Sequence, residues 1–252
     1  MLTVTDLLGV NNISNISDIS LKLYKEFFDN ILCKRLFLYN LEDGKEIKLV
    51  FDPNNLLHIL GAQHILGEKY KAQKFNIEII NGDMTFQDLE KRNSIVFNDY
   101  TSRFLNFSNL YHVITNCTMV YFDKETYNKN RKSKKESLMD FSYILYEDLN
   151  NKKIHAGLDT YNKGFSFYCK SLLVKSSSND IIIKDQKPVK INNIKVIDID
   201  TKVVLLNKDI EDEIKFVLLN KDIETEDKNE LPNKNIDNIS NSYVQVGESK
   251  KI

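Results

Sequence analysis

The stretch RLFLYNLEDGKEIKLVFDPNNLLHILG, residues 35–61, predicts two strands and a helix in succession. Apolar and polar residues alternate on both sides of Asp43-Gly44, a dipeptide that is typical of a hairpin turn. Asp52-Pro53 then supplies an N-cap and a first helical residue. We expect this helix to end near Gly61 or Gly67, because glycine commonly follows the last helical residue.

The segments around this stretch predict helices first and strands afterwards. Residues 17–33 carry apolar side chains at helical spacing, and residues 85–112 carry one long apolar stripe. Polar turns then separate four strand-like segments, at residues 118–122, 138–146, 153–158 and 164–174. Helices followed by an antiparallel meander predict an α+β fold.

The composition indicates a globular protein in a reducing compartment. Of the 252 residues, 42% are hydrophobic and 10% are aromatic, which is enough for a sizeable core. The 3 cysteines have no CxxC spacing, so neither a disulfide framework nor a zinc site is predicted. The chain shows no signal-peptide pattern at its start and no apolar run of about 20 residues. We therefore expect a cytoplasmic protein with no membrane contact.

The charge is unevenly distributed along the chain. Residues 208–230 contain nine acidic and four basic side chains, a net charge of −5, so the rest carries +4 against a total of −1. The octapeptide VLLNKDIE occurs in this region twice, at residues 204–211 and 217–224, which indicates a local duplication. The acidic run is expected to be a solvated tail, with an intramolecular nucleic-acid mimic as the less favoured interpretation.

His58 is the first candidate for chemistry. It interrupts a run of leucine and isoleucine, and Gly61 follows on nearly the same side, leaving room for a ligand or another backbone. A histidine at the rim of a cleft can transfer protons near neutral pH. The alternative is a core histidine that is satisfied by a backbone carbonyl.

Arg103 is the second candidate. On a continuous helix Arg92, Asp99 and Arg103 would lie along one border of the apolar stripe, where an arginine can present its guanidinium to a phosphate. The alternative is an ordinary ion pair between Asp99 and Arg103 at i, i+4 spacing.

The strand GFSFYCKSLLV, residues 164–174, is the third candidate. Alternation places Phe165, Phe167 and Cys169 on one face and Ser166, Tyr168 and Lys170 on the other. The polar face could bind a ligand or could simply be solvated. Together, the three signals suggest RNA cleavage by attack of the 2′-hydroxyl on the adjacent phosphorus, which needs an acid, a base and a cation but no metal or cofactor.

Four segments resemble a family of phage-associated nucleases. They are FLYNLEDGKEIKLVF…NLLHILG, INGDMTFQDLEKRNSIVFNDYTSRFLNF, MDFSYILYED and GFSFYCKSLLV. The chain resembles the fourth subgroup of the phage Barnase–EndoU–Colicin–RelE-like (BECR) nucleases over roughly residues 35–176. The resemblance implies two helices packed on a four-stranded antiparallel sheet, and ribonuclease activity without a metal.

The resemblance also implies a set of site residues. A histidine before Leu-Gly, a serine and an arginine in the second helix, and a serine in the last strand fall here on His58, Ser94, Arg103 and Ser166. Ser94 and Arg103 would face opposite directions on a straight helix, so either the helix breaks between them or Ser94 has a capping or packing role. With Arg92, Tyr168 and Lys170 as further substrate contacts, these residues form the predicted site.

The predicted organisation has four parts. Residues 1–34 form an N-terminal helical extension, 35–187 the BECR-like nuclease domain, 188–224 a β-rich or mixed extension, and 225–252 a disordered tail. The predicted partner is RNA, including transfer RNA, in the bacterial host cytoplasm. The alternative function is a non-catalytic interaction protein on the same fold, such as a phage inhibitor of a host defence complex, with a host or phage protein as its partner.

Overall fold

The predicted hairpin is present as β1 (Arg35–Leu41) and β2 (Glu46–Val50), which pair in antiparallel orientation. The structure is a computed structural model that describes residues 2–9, 12–131, 139–161, 166–176 and 180–210. All of these residues belong to one unit, Met1–Ile210. The tail predicted for residues 225–252 lies outside the described residues.

The hairpin belongs to a sheet that is larger than the resemblance implied. The remaining described strands are β3 (Thr118–Tyr121), β4 (Tyr143–Leu149), β5 (Lys152–Tyr161), β6 (Ser166–Ser176), β7 (Lys187–Val189), β8 (Ile191–Asp198) and β9 (Val204–Asp209). Within the described ranges they form a nine-stranded sheet in the order β7-β3-β4-β5-β6-β2-β1-β8-β9. The α+β class and the β3–β6 meander are confirmed. The four-stranded sheet with two helices is not, because β1 and β2 join the meander to β8 and β9.

One parallel contact connects the hairpin to the meander. β2 pairs with β6 only through Leu49 opposite Phe167 and Val50 opposite Tyr168. The chain then leaves the sheet, since Asp52 accepts a hydrogen bond from the Asn54 amide and Pro53 begins a 3₁₀ turn. No other described strand pairs with residues 169–176 of β6 on that side, so this edge is open.

Most of the helices cover one face of the sheet and the open edge of β6, whereas the last helix packs through Tyr127 against the opposite face. They are α1 (Leu21–Phe27, continued by a π-helical turn Phe28–Leu32), α2 (Leu56–Leu60), α3 (Gln63–Leu66), α4 (Ala72–Asn81), α5 (Phe86–Arg92), α6 (Ser94–Asn106), α7 (Leu110–Asn116) and α8 (Lys124–Asn130). α2 and α6 both pack against β6. None of the helices in the described part of the chain is long and apolar enough to cross a bilayer.

The single helix predicted for residues 85–112 is wrong. It is divided at Asn93, which adopts an extended conformation and accepts a hydrogen bond from the Val96 amide as the N-cap of α6. A 3₁₀ turn at Phe107–Asn109 separates α6 from α7. The apolar periodicity of the sequence continues across both interruptions, because α5, α6 and α7 each bury one face against the same core. Periodicity alone therefore predicted one helix.

Aromatic rings from distant segments meet in the main core. Tyr24 on α1 lies 4.8 Å from the ring of Phe107, and its hydroxyl donates to the Phe104 carbonyl at 2.8 Å. The predicted N-terminal segment therefore supports the helix that carries Arg103. The domain boundaries at residues 34 and 187 stay predictions. Across these boundaries, α1 contributes to the main core and β8 pairs within the same sheet as the segment between them.

The duplicated octapeptide has one described copy. Residues 204–209 form β9, which pairs antiparallel with β8 at the end of the sheet. Val204 and Leu205 remain exposed there, whereas Leu206 and Ile210 pack against the core. The second copy, residues 217–224, lies outside the described residues.

Tyr39 should make a measurable contribution to stability. Its buried hydroxyl donates to the Ile114 carbonyl at 2.8 Å, near the end of α7, where helix carbonyls have no partner within the helix. We expect Tyr39→Phe to lower the free energy of unfolding by about 1–3 kcal/mol, because it leaves a buried carbonyl unpaired. The difference in the free energy of unfolding between this variant and the wild type is measured by urea unfolding. Tyr121→Phe, at a ring that is 50% exposed, is the control and should change stability by less than about 0.5 kcal/mol; equal effects would contradict the assignment.

Candidate active site

A cleft of about 730 Å³ lies beside the open edge of β6. α2, α3 and α6 line one side, and residues 139–141, which precede β4, line another. Its acidic, basic and histidine lining residues are His58, His64, Asp99, Arg103, Asp140, Lys170 and Lys175. Cationic and titratable side chains are therefore concentrated where the sheet offers an unpaired strand edge.

His58 lies at the surface of α2 and lines this cleft. Leu57 and Ile59, its neighbours in sequence, are buried, whereas His58 itself is exposed. Its imidazole forms no hydrogen bond with another group in the described ranges. This position is that of a histidine at the rim of a cleft and not of a core histidine, so the ring can reach a bound ligand.

Gly61 ends α2 and allows an unusually close contact. Its φ of +76° lies in the left-handed region, and a Cβ built on it would lie 2.3 Å from Tyr100 Cε1 and 2.8 Å from Arg103 Nη1. The sequence suggested that this glycine leaves room for a ligand or another backbone. The space is instead filled by the Tyr100 ring, which Gly61 allows to lie directly against the main chain.

Arg103 is a half-buried cation with no carboxylate partner among the described residues. Its guanidinium carbon lies 4.8 Å from the centre of the Tyr100 ring, and Nη1 lies 3.5 Å from Ser171 Oγ. In the described part of the chain it forms no ion pair, so the alternative pair with Asp99 is not present. Burial lowers the pKa of Arg103 to about 10, which still leaves the group charged at neutral pH. A desolvated, unpaired guanidinium favours an anionic ligand.

A β-bulge brings Ser171 into the cleft. Ser171 pairs with Gly157 and Cys169 pairs with Leu158, so Lys170 is an extra residue in β6. Strict alternation would have put Ser171 on the buried face with Cys169. Beyond the bulge the alternation is reversed, and Ser171 faces Arg103. No feature of the sequence indicated this change of face.

Tyr168 and Lys170, both predicted as substrate contacts, line the cleft. The Lys170 ammonium donates to Asp159 Oδ2 at 2.7 Å and to the Asp140 carbonyl at 3.0 Å, so its charge is already matched. Burial, followed by the charge of Asp159, raises the pKa of Tyr168. Tyr168 is therefore an uncharged contact surface, and Arg103 is the better candidate for binding phosphate.

Three predicted site residues lie elsewhere. Ser166 begins β6 and is not among the side chains that line the cleft. Ser94 is exposed at the start of α6, where Asn93 and not Ser94 provides the cap. Arg92 lies on α5, near the ring of Tyr70, because the helix is interrupted before α6. A break between Ser94 and Arg103 could have brought them to the same side, but the helix is interrupted before Ser94. Both residues therefore lie on the uninterrupted α6, where they face opposite directions.

His64 is a cleft residue that the sequence analysis missed. On a straight helix it would lie about 240° around the axis from His58. The turn at Gly61 separates α3 from α2 and brings both rings into the cleft lining. His64 stacks on Tyr100 with ring centres 5.1 Å apart and planes inclined by 20°. Burial, followed by the charges of Arg103 and His58, lowers the pKa of His64.

No group of three or more His, Cys, Asp or Glu side chains in the described ranges is arranged to hold a metal ion. Besides the carboxylates Asp99 and Asp140, the cleft lining includes histidines, hydroxyls and cations, which are groups that can contact a phosphate and transfer protons. By its fold and its cleft, the chain falls in the broad class of α+β proteins whose cleft carries groups suited to contact an anionic ligand.

Comparison with protein families narrows this class. Residues 20–211 match the family described as phage-Barnase-EndoU-ColicinE5/D-RelE like nuclease 4, and the chain belongs to this family of phage-associated nucleases. The resemblance found in the sequence is thereby confirmed, and the match also includes α1, β8 and β9. No curated protein and no solved structure matches the chain.

The contact between Gly61 and Tyr100 can be tested by adding one methyl group. Gly61→Ala combines left-handed strain of about 1–2 kcal/mol with overpacking of about 1–3 kcal/mol, because the Tyr100 ring must move. Gly82→Ala is the matched control: Gly82 also ends a helix at positive φ, but its Cβ would meet nothing within 4 Å. Urea unfolding should show a larger loss for Gly61→Ala. Equal losses would mean that the close approach has no energetic consequence.

Proposed function

We propose that the protein is an endoribonuclease that cleaves RNA without a metal ion, by attack of the 2′-hydroxyl on the adjacent phosphorus. The observation that carries the proposal is that His58 and Arg103, which forms no ion pair within the described ranges, line one cleft in a member of a nuclease family. A titratable ring and a desolvated cation are the two kinds of group that this reaction requires.

The reaction makes specific demands on the site. The 2′-oxygen loses a proton and bonds to phosphorus, the bond from phosphorus to the 5′-oxygen breaks, and the departing 5′-oxygen gains a proton. The products are a 2′,3′-cyclic phosphate and a 5′-hydroxyl. His58 is suited to one of the two proton transfers because it is exposed on the cleft wall. Arg103 would bind the phosphate and stabilise its additional negative charge.

Side chains of β6 would hold the rest of the substrate. Ser171 is close enough to Arg103 to orient its guanidinium, and Tyr168 presents a neutral hydroxyl in the same cleft. Lys170 adds positive charge, moderated by its pair with Asp159. Ser166, Ser94 and Arg92 have no role in the proposal, since they do not line the cleft.

The decisive assay is cleavage of total RNA and transfer RNA by the purified chain in EDTA. We expect His58→Ala to reduce the rate by about 10²–10⁴-fold, the usual contribution of an acid or base, and Arg103→Ala by about 10²–10³-fold. Arg92→Ala, an exposed arginine outside the cleft, is the matched control and should retain full activity. Oligodeoxynucleotides should stay intact, because they lack the attacking hydroxyl.

Two results would overturn this function. Cleavage that needs an added metal ion would contradict the mechanism. No cleavage of RNA by the wild-type chain would favour the non-catalytic interaction protein, and association with host or phage proteins would then be tested by pull-down.

Ser171 and Ser166 provide a comparison within one strand. We expect Ser171→Ala to lower kcat/KM about fivefold, because it removes a hydrogen-bond partner worth about 1 kcal/mol from Arg103. Ser166→Ala should leave kcat/KM unchanged, since Ser166 lies outside the cleft lining. A loss confined to Ser166→Ala would restore the assignment made from the sequence. Circular dichroism verifies that both variants fold.

A further inference from the structure

The His64 ring is stacked on a Tyr100 ring that Arg103 also contacts. Tyr100 lies behind it at 5.1 Å, and the guanidinium of Arg103 lies 4.8 Å from the Tyr100 ring centre. Gly61 contacts the same Tyr100 ring through its main chain. All three side chains line the cleft and His64 is the exposed one, so the cluster presents an aromatic ring to any ligand bound there.

The backbone holds this ring in place. The Ala62 amide donates to the Leu57 carbonyl at 3.0 Å, and the His64 amide donates to the Gly61 carbonyl at 3.1 Å. These bonds fix the turn between α2 and α3, while Tyr100 belongs to α6. Because two separately anchored elements position the rings, little conformational entropy remains to be lost when a planar ligand binds.

The electrostatic surroundings favour the neutral form of His64. Arg103 on α6 and His58 on α2 are cationic or titratable neighbours, and together with burial they lower the pKa of His64. Glu68, which follows α3, acts in the opposite direction but contributes least, and Tyr100 contributes a neutral ring. At neutral pH His64 is therefore an uncharged aromatic surface and not a second phosphate-binding cation.

We propose that His64 is a stacking platform for an unpaired nucleobase next to the phosphate that Arg103 binds. This inference rests on the proposed function in so far as it takes RNA as the ligand. Proteins commonly recognise single-stranded RNA by stacking its bases on aromatic side chains. The platform would select loops and single strands over duplexes, since a paired base is already stacked within its helix.

The experiment separates stacking by the His64 ring from proton transfer by its nitrogens. His64→Phe retains a ring that stacks but cannot transfer a proton, whereas His64→Ala removes the ring. Binding is measured by fluorescence anisotropy with labelled 2′-O-methyl oligoadenylate, oligocytidylate and oligouridylate, in which the attacking hydroxyl is blocked. The wild-type chain and both variants are compared at neutral pH, after circular dichroism shows that all three fold.

We expect His64→Ala to weaken binding by about 5-fold to 100-fold, the range that stacking of one base supplies, and His64→Phe to remain within about twofold of the wild type. Wild-type affinity in His64→Ala would overturn the platform. So would an equal loss in both variants, which would show that the imidazole nitrogens are needed. Because these oligonucleotides cannot be cleaved, the binding result stands apart from the RNA cleavage assay. Absence of cleavage together with ring-dependent binding would refute the ribonuclease and retain the platform.

Discussion

The short parallel pairing of β2 with β6 is the constraint on which the site depends. It joins the hairpin to the meander through only two residue pairs and ends at Val50 and Tyr168. Asp52 and Pro53 then turn the chain out of the sheet and into α2. A longer pairing would have filled the edge of β6 with another strand. Because it stops, helices carrying His58 and Arg103 pack at an open strand edge, and a cleft remains between them.

Histidine environments in this chain show how a candidate catalytic group differs from a structural one. The fully buried His155 lies on the other face of the sheet, with Nε2 2.5 Å from Asp180 Oδ2 and Nδ1 3.4 Å from the Leu173 carbonyl. Its polar atoms are satisfied within the fold, as burial requires. His58 is exposed at the cleft and has no such partner in the described ranges. Arg103 likewise has no carboxylate partner there, and a group left unpaired at a cleft is available to a ligand.

Most local elements were predictable, because hairpin turns, caps and apolar periodicity act over a few residues. The Asp43-Gly44 turn, the helical turn that Asp52 caps before α2 and the β3–β6 meander follow from such signals, although the α-helix itself begins only at Leu56. The errors have non-local causes. Asn93 interrupts a helix whose apolar stripe continues, so periodicity alone did not reveal the break. The bulge at Lys170 reversed the faces of β6, because the register of a strand is decided together with its partner.

The sequence by itself determined the α+β class and the nuclease family, and it singled out His58 and Arg103 as candidates, because residue type and short-range pattern carry that information. Tertiary structure alone decided which other side chains join them. Ser171 faces the cleft because of a bulge, and His64 does so because Gly61 turns the chain and admits the Tyr100 ring. Tertiary structure also places Arg92 and Ser166 outside the cleft lining. Such outcomes depend on where separate elements meet. The spacing of residues along one helix or strand carries no information about how far that element lies from another.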